Sequence, residues 1–213
     1  MVDIFEEVDE DLRRDRALKI WQKYGNYIVA AAVAIVVATA AYVYWRDWDR
    51  KSREAEGAML IAAVDLMQQD QADAAKDALS RLAKEGSSGY ALLARFHEAA
   101  YLARKGDAAG AIAVYRTIAA DSGVTSDLRQ AATLFAVLHG LEQASPAEVE
   151  RDLASLAQGP WRYSATEVQA LAALKAGDVA KARDLYRSLA DEPGAPVNLR
   201  GRAAEMLAAL GSG

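Results

Sequence analysis

One uninterrupted apolar run constrains this chain more than any other feature. From Tyr27 to Trp45 there are 19 residues without a charge, and Thr39 is the only polar side chain among them that is not aromatic. Wound as an α-helix, a run of that length measures about 28 Å, close to the roughly 30 Å hydrocarbon core of a bilayer. Lys19 and Lys23 precede it, and Arg46, Asp47, Asp49 and Arg50 follow it. Trp21, Tyr24 and Tyr27 mark one border; Tyr42, Tyr44, Trp45 and Trp48 mark the other. Amphipathic rings settle at headgroup level in this way. The run predicts a single transmembrane helix over residues 27–45.

Two other readings of the run fit less well. A buried helix of a soluble core rarely needs so long an uncharged stretch between two aromatic belts. A cleaved signal sequence has a short basic leader, whereas seven acids precede this run: Asp3, Glu6, Glu7, Asp9, Glu10, Asp11 and Asp15. Ala38-Thr39-Ala40 offers a small-x-small site, but the apolar run continues past it. Topology is not settled by charge. Arg13, Arg14, Arg16, Lys19 and Lys23 lie on the N-side, against Arg46, Arg50, Lys51 and Arg53 on the C-side. Five against four leans only slightly toward a cytoplasmic N-terminus.

The 168 residues from Arg46 onward suffice for one domain with its own core. Alanine dominates, with 48 in the chain, against 4 prolines and 3 phenylalanines. Alanine has the highest helix propensity, and no stretch alternates with period two for long. The body is therefore expected to be all-α. A net charge of −5 gives no electrostatic case for nucleic acid. The absence of cysteine excludes disulfides and thiolate metal sites.

The body repeats itself. Gly106-Asp107 is followed by Ala111, Tyr115 and Arg116; Gly177-Asp178 is followed, at the same offsets, by Ala182, Tyr186 and Arg187. Weaker copies place Ala75 and Leu79 before these, and Val149 and Leu153 between them. The large residues Leu79, Tyr115, Leu153 and Tyr186 are 36, 38 and 33 residues apart. A period near 34 built of helical patterns points to tetratricopeptide-type helix pairs. The glycine ends one helix in a left-handed conformation, and the aspartate caps the next. The small alanine permits close approach, and the large residue four positions on fills the groove on the same helical face.

Ser145-Pro146-Ala147-Glu148 and Ser164-Ala165-Thr166-Glu167 have the form of capping boxes. Helices are expected at 53–69, 72–84, 89–105, 108–120, 126–140, 146–157, 164–176, 179–191 and 197–210. Three regions follow: an acidic leader with a basic juxtamembrane stretch (1–26), the span (27–45) and the helical body (46–213). No glycine or proline lies between Asn26 and Glu56. The membrane helix either runs on into the body or breaks at Arg46 to Asp49, and both readings stay open. Leu12, Leu18, Ile20, Trp21 and Tyr24 suit a short helix along the membrane surface. The acidic leader before it reads as a solvated tail without regular structure, or else as a partner-binding one.

No catalytic constellation is visible. His97 and His139 are the only histidines, and both read as structural or solvated. HExxH, Gly-x-Ser-x-Gly, GxxxxGK[ST] and GxGxxG are all missing. The chain is read as non-enzymatic, without cofactor or metal. Function then falls to a protein-binding face on the first helices of the pairs, where Arg95, Tyr101, Arg104, Arg129 and Gln169 are the candidate contact residues. The last helix, with Leu199, Met206, Leu207 and Leu210, is expected to cap the stack.

The layout as a whole resembles the YfgM-type ancillary subunit of the bacterial Sec translocon. The features that carry the resemblance are the acidic leader, Trp21, Tyr24-Gly25-Asn26, one span, Tyr44-Trp45-Arg46-Asp47-Trp48 and an alanine-rich helical-pair body. It implies a single-pass bacterial inner-membrane protein, N-terminus in the cytoplasm and helical body in the periplasm. It also implies association with the Sec translocon and with a membrane-anchored periplasmic chaperone of the peptidyl-prolyl isomerase type, in the service of newly exported, unfolded chains. A long body translocates largely regardless of its own charges, so nothing in residues 54–213 opposes that topology. Two competing functions remain: a membrane regulator whose acidic tail binds a cytoplasmic signalling partner, and a hydrolase or isomerase with an unrecognised site.

Overall fold

A computed structural model describes residues 3–211, with side chains described for Leu18 and from Trp21 onward. Every regular element among them is helical: α1 (Asp3–Gln68), α2 (Ala72–Glu85), α3 (Ser88–Arg104), α4 (Ala108–Ala120), α5 (Ser126–Gly140), α6 (Pro146–Leu153), α7 (Arg162–Lys175), α8 (Val179–Asp191) and α9 (Val197–Ala209). The chain divides into two compact units, residues 1–55 and 56–213.

In the first unit the backbone is already helical at Asp3, where a leader without regular structure was expected. The side chains of the acidic leader, and those of Leu12 and Ile20 in the proposed surface helix, lie outside the described ones. The helix assignment shows no break at Arg46 to Asp49. The apolar run is a candidate membrane span, and none of its most apolar stretch is buried within the chain. Thr39 satisfies its hydroxyl by donating to the Ile35 carbonyl at 2.7 Å, the local solution open to a polar group in hydrocarbon. After the span the charges pair along the helix: Arg50 and Lys51 with Asp47, and Arg53 with Asp49.

The second unit is a stack of helix pairs: the end of α1 with α2, α3 with α4, α5 with α6, and α7 with α8, closed by α9. Its apolar residues fall into four clusters, each built from one pair and the first helix of the next. The repeat phase read from the sequence holds. Ala75, Ala111 and Ala182 are fully buried, and the large residues Leu79, Tyr115, Leu153 and Tyr186 are at most 3 % exposed. The partner surface is equally small. Ala63, Ala99 and Ala170 lie twelve residues before those alanines, in the same clusters, with 0 % exposure.

The links follow from two residues. Gly106 (φ 85°) and Gly177 (φ 81°) stand in the left-handed region. Asp107 N–H returns to the Leu102 carbonyl and Gly106 N–H to Ala103; Asp178 and Gly177 do the same toward Ala173 and Leu174. The aspartates then accept from the N–H groups of Gly110 and Lys181. The first link uses the same geometry with other residues: Asp70 takes φ 60° and Gln71 stands at the cap without a side-chain bond.

Long polar contacts tie the first pair to the second, the third to the fourth, and the fourth to α9. Lys105 pairs with Asp70, and Lys175 donates to the carbonyls of Leu141 (2.6 Å) and Glu142. Arg202 grips Glu167 with two bonds of 2.9 and 2.8 Å. That grip corrects one expectation. Ser145–Glu148 forms its capping box, but Ser164–Glu167 does not. Trp161 Nε1 donates to the Asp127 carbonyl at 2.8 Å and draws the chain in early, so α7 starts at Arg162 and Ser164 lies inside it. The sixth helix is also shorter than the 146–157 expected; it tightens into a 3₁₀ turn over Ala154–Leu156. At the far end Leu199 is buried, and Met206, Leu207 and Leu210 pack on the last cluster.

Two predictions test this phase. Tyr186 is 1 % exposed and its hydroxyl has no hydrogen-bond partner. Tyr186→Ala should cost about 3–5 kcal/mol in denaturant unfolding, whereas Tyr186→Phe should be neutral or stabilising. Gln71 (φ −84°, ψ 73°) has the backbone of Asp107 (−82°, 69°) and Asp178 (−83°, 72°). Gln71→Asp should therefore add a cap and stabilise by about 1 kcal/mol, read as a rise in melting temperature.

Candidate partner-binding groove

The first helices α3 and α5 stand on either side of Tyr115 from α4, and between them runs an apolar groove of about 570 Å³. One wall is α3, where Leu93, Phe96, His97, Ala100, Ala103 and Arg104 recur at helical spacing. The other wall is Phe135, Leu138 and His139 near the end of α5. Tyr115, only 3 % exposed, forms the floor.

The floor is rigid because its rings hold one another. Tyr115 lies 6.0 Å from Phe96 and 5.4 Å from Phe135, and Phe96 meets Phe135 edge-on at 6.5 Å. His139 stacks flat on Tyr115, with ring centroids 5.7 Å apart and planes 2° from parallel. Burial raises the Tyr115 phenol above its ordinary pKa, so the ring stays neutral. Above this floor Leu93 and Leu138 are 47 % and 39 % exposed.

The candidate contact residues fare differently. Arg104 lines the groove, with its guanidinium 5.8 Å from the Tyr101 ring. Tyr101 is 6 % exposed and packed into the cluster of the first pair, because α3 turns that face toward α2. Arg95 is neutralised by Asp121 at 3.1 Å. Arg129 is half-buried and adds its field to the same carboxylate. Gln169 lines a separate cavity of about 180 Å³ with Arg162 and Thr166. Of these five residues, Arg104 is the one that lines this groove. The groove is made by aromatic and aliphatic side chains. The sequence signal for them is a second apolar stripe on α3 (Leu93, Phe96, Ala100) beyond the stripe that the pair consumes. The two histidines are neither isolated nor simply solvated, since both reach this groove.

Chemically the groove can bind and orient a partner through its apolar lining. Its lining has no serine, threonine, cysteine, lysine or carboxylate. Among the described residues no group of three or more His, Asp or Glu is placed to hold a metal ion.

The sequence profile of a family described as a tetratricopeptide repeat-like domain matches residues 19–199 of this chain. No curated protein and no solved structure matches it.

Asp121, at the end of α4, provides a check on the contact with Arg95. The Gly123 N–H and then the Arg95 guanidinium hold its carboxyl below the usual range. A depressed folded-state pKa means stabilisation that is fully present above the ordinary carboxylate value, about pH 4, and lost as the pH falls through the lowered one. Carbonyl-carbon NMR titration should give Asp121 a midpoint below that value. Arg95→Gln should raise the midpoint only part of the way, because the Gly123 bond remains.

Proposed function

We propose that this chain, which belongs to the tetratricopeptide repeat-like domain family, is a membrane-anchored, non-catalytic scaffold or chaperone adaptor of protein export. Its repeat domain is a protein-interaction scaffold, and its one long apolar helix near the N-terminus is a candidate membrane span. The observation that carries the reading is the open groove between α3 and α5, whose lining is mainly apolar. Holding a segment of another chain there requires only complementary shape, apolar anchors and a polar rim.

The finer assignment is supported by the resemblance to the YfgM-type translocon subunit, borne by Tyr24-Gly25-Asn26 and Tyr44-Trp45-Arg46-Asp47-Trp48 at the two ends of the span. On that reading the protein resides in the bacterial inner membrane, with the leader in the cytoplasm and the helix pairs in the periplasm. It associates there with the Sec translocon and with a membrane-anchored peptidyl-prolyl isomerase-type chaperone. Newly exported, unfolded chains emerge with apolar residues exposed, and a groove lined by Leu93, Phe96, Phe135 and Leu138 is chemically suited to such residues.

Protease protection on inverted and right-side-out vesicles, with a tag after Gly213, tests the topology. Digestion of the tag only from the periplasmic side is the expected result; digestion only from the cytoplasmic side ends the export assignment. A photo-crosslinker at Leu93 should then trap a translocon subunit or an exported chain. The same probe at exposed Val179 on α8, away from the groove lining, should trap far less.

A further inference from the structure

We propose that the groove between α3 and α5 selects an acidic amphipathic helix of a protein partner, with Arg104 as the residue that sets the charge preference. The inference rests on the reading of this groove as the interaction site and adds the chemistry of what it takes.

The charge of the groove opposes that of the chain. The sequence has 30 acidic against 25 basic side chains, a net of −5. Yet none of the lining residues carries a carboxylate, and the nitrogen-bearing groups among them are His97, Arg104 and His139. Asp121, which accepts from Arg95 and from the Gly123 N–H, is not among the lining residues. Arg104 itself makes no ion pair among the described residues; its guanidinium is held near the Tyr101 ring, exposed and unneutralised. A partner with acids beside its apolar anchors gains attraction from this rim, and a lysine-rich partner meets like charge.

Shape sets the rest. Leu93 to Arg104 covers twelve residues of one helix, eleven steps or about 16 Å, the length of some three turns of a second helix. The walls offer apolar side chains at helical spacing on both sides, the complement of a ridge with anchors at i, i+3 or i+4, and i+7. The rigid ring floor is preformed, so little ordering opposes binding.

The test uses the full chain in nanodiscs of neutral lipid. The probes are two fluorescent helical peptides of about 15 residues, long enough to hold helix. Both carry Leu or Phe at every third or fourth position; one has glutamate elsewhere and the other lysine. Fluorescence anisotropy should show the glutamate peptide bound at least about tenfold more tightly. Arg104→Glu should erase most of that preference. Leu138→Glu, at an exposed site on the groove wall, should abolish binding while circular dichroism shows the melting temperature unchanged. Equal affinities for the two peptides, both lost in Leu138→Glu, overturn the charge selection and leave the groove reading standing. Binding that Leu138→Glu leaves untouched overturns the groove reading itself. Failure of both peptides to bind at millimolar concentration overturns the proposed helical partner.

Discussion

Close helix approach at alanine is the constraint on which the repeat domain depends. In three pairs an alanine of the first helix and one twelve residues later share a cluster at 0 % exposure: Ala63 with Ala75, Ala99 with Ala111, and Ala170 with Ala182. Side chains this small bring the helix axes together. The left-handed residue and the cap after it then have only to reverse the chain over a short link. Leu79, Tyr115, Leu153 and Tyr186, four residues beyond the second-helix position, form the wedge that spaces one pair from the next. Removing the small residues would open each pair; removing the large ones would collapse the spacing between pairs.

The groove is a consequence of that spacing. Tyr115 wedges between α3 and α5, and its aromatic ring props the two helices apart. Phe96, Phe135 and His139 close around it. At the third pair the wedge is Leu153, the second helix is short and turns 3₁₀, and the next first helix offers Thr166 and Gln169. The apolar channel does not continue there. The groove forms at the second pair because there a tyrosine wedge coincides with flanking first helices that carry a second apolar stripe.

Polar contacts across pairs do a different job. Lys105 to Asp70, Lys175 to Leu141 and Glu142, Trp161 to Asp127, and Arg202 to Glu167 each bridge about one repeat in sequence. Most lie at the surface, where such pairs contribute little to stability. Their geometric effect is larger than their energy: they fix the register between neighbouring pairs, and Trp161 decides where α7 begins.

Local physics made most of the architecture legible in the chain itself. The uncharged run Tyr27–Trp45 exceeds what a core needs, Gly-Asp at 106–107 and 177–178 can end and restart helices without help, and Ser145–Glu148 caps itself. Helix limits and the phase of Leu79, Tyr115, Leu153 and Tyr186 follow from interactions within a few residues or from a fixed period. What only the tertiary structure decided is how neighbours compete for the same side chain. Tyr101 looks like a contact residue on a helix wheel, but α2 takes that face. Glu167 looks like a cap, but Arg202, 35 residues away, holds it in a bidentate grip. Arg95 looks like a free cation, but Asp121 neutralises it. The groove between α3 and α5 belongs to neither helix alone. It exists because packing against Tyr115 leaves two half-used apolar stripes facing each other, and no periodicity in the sequence records which stripe is left over.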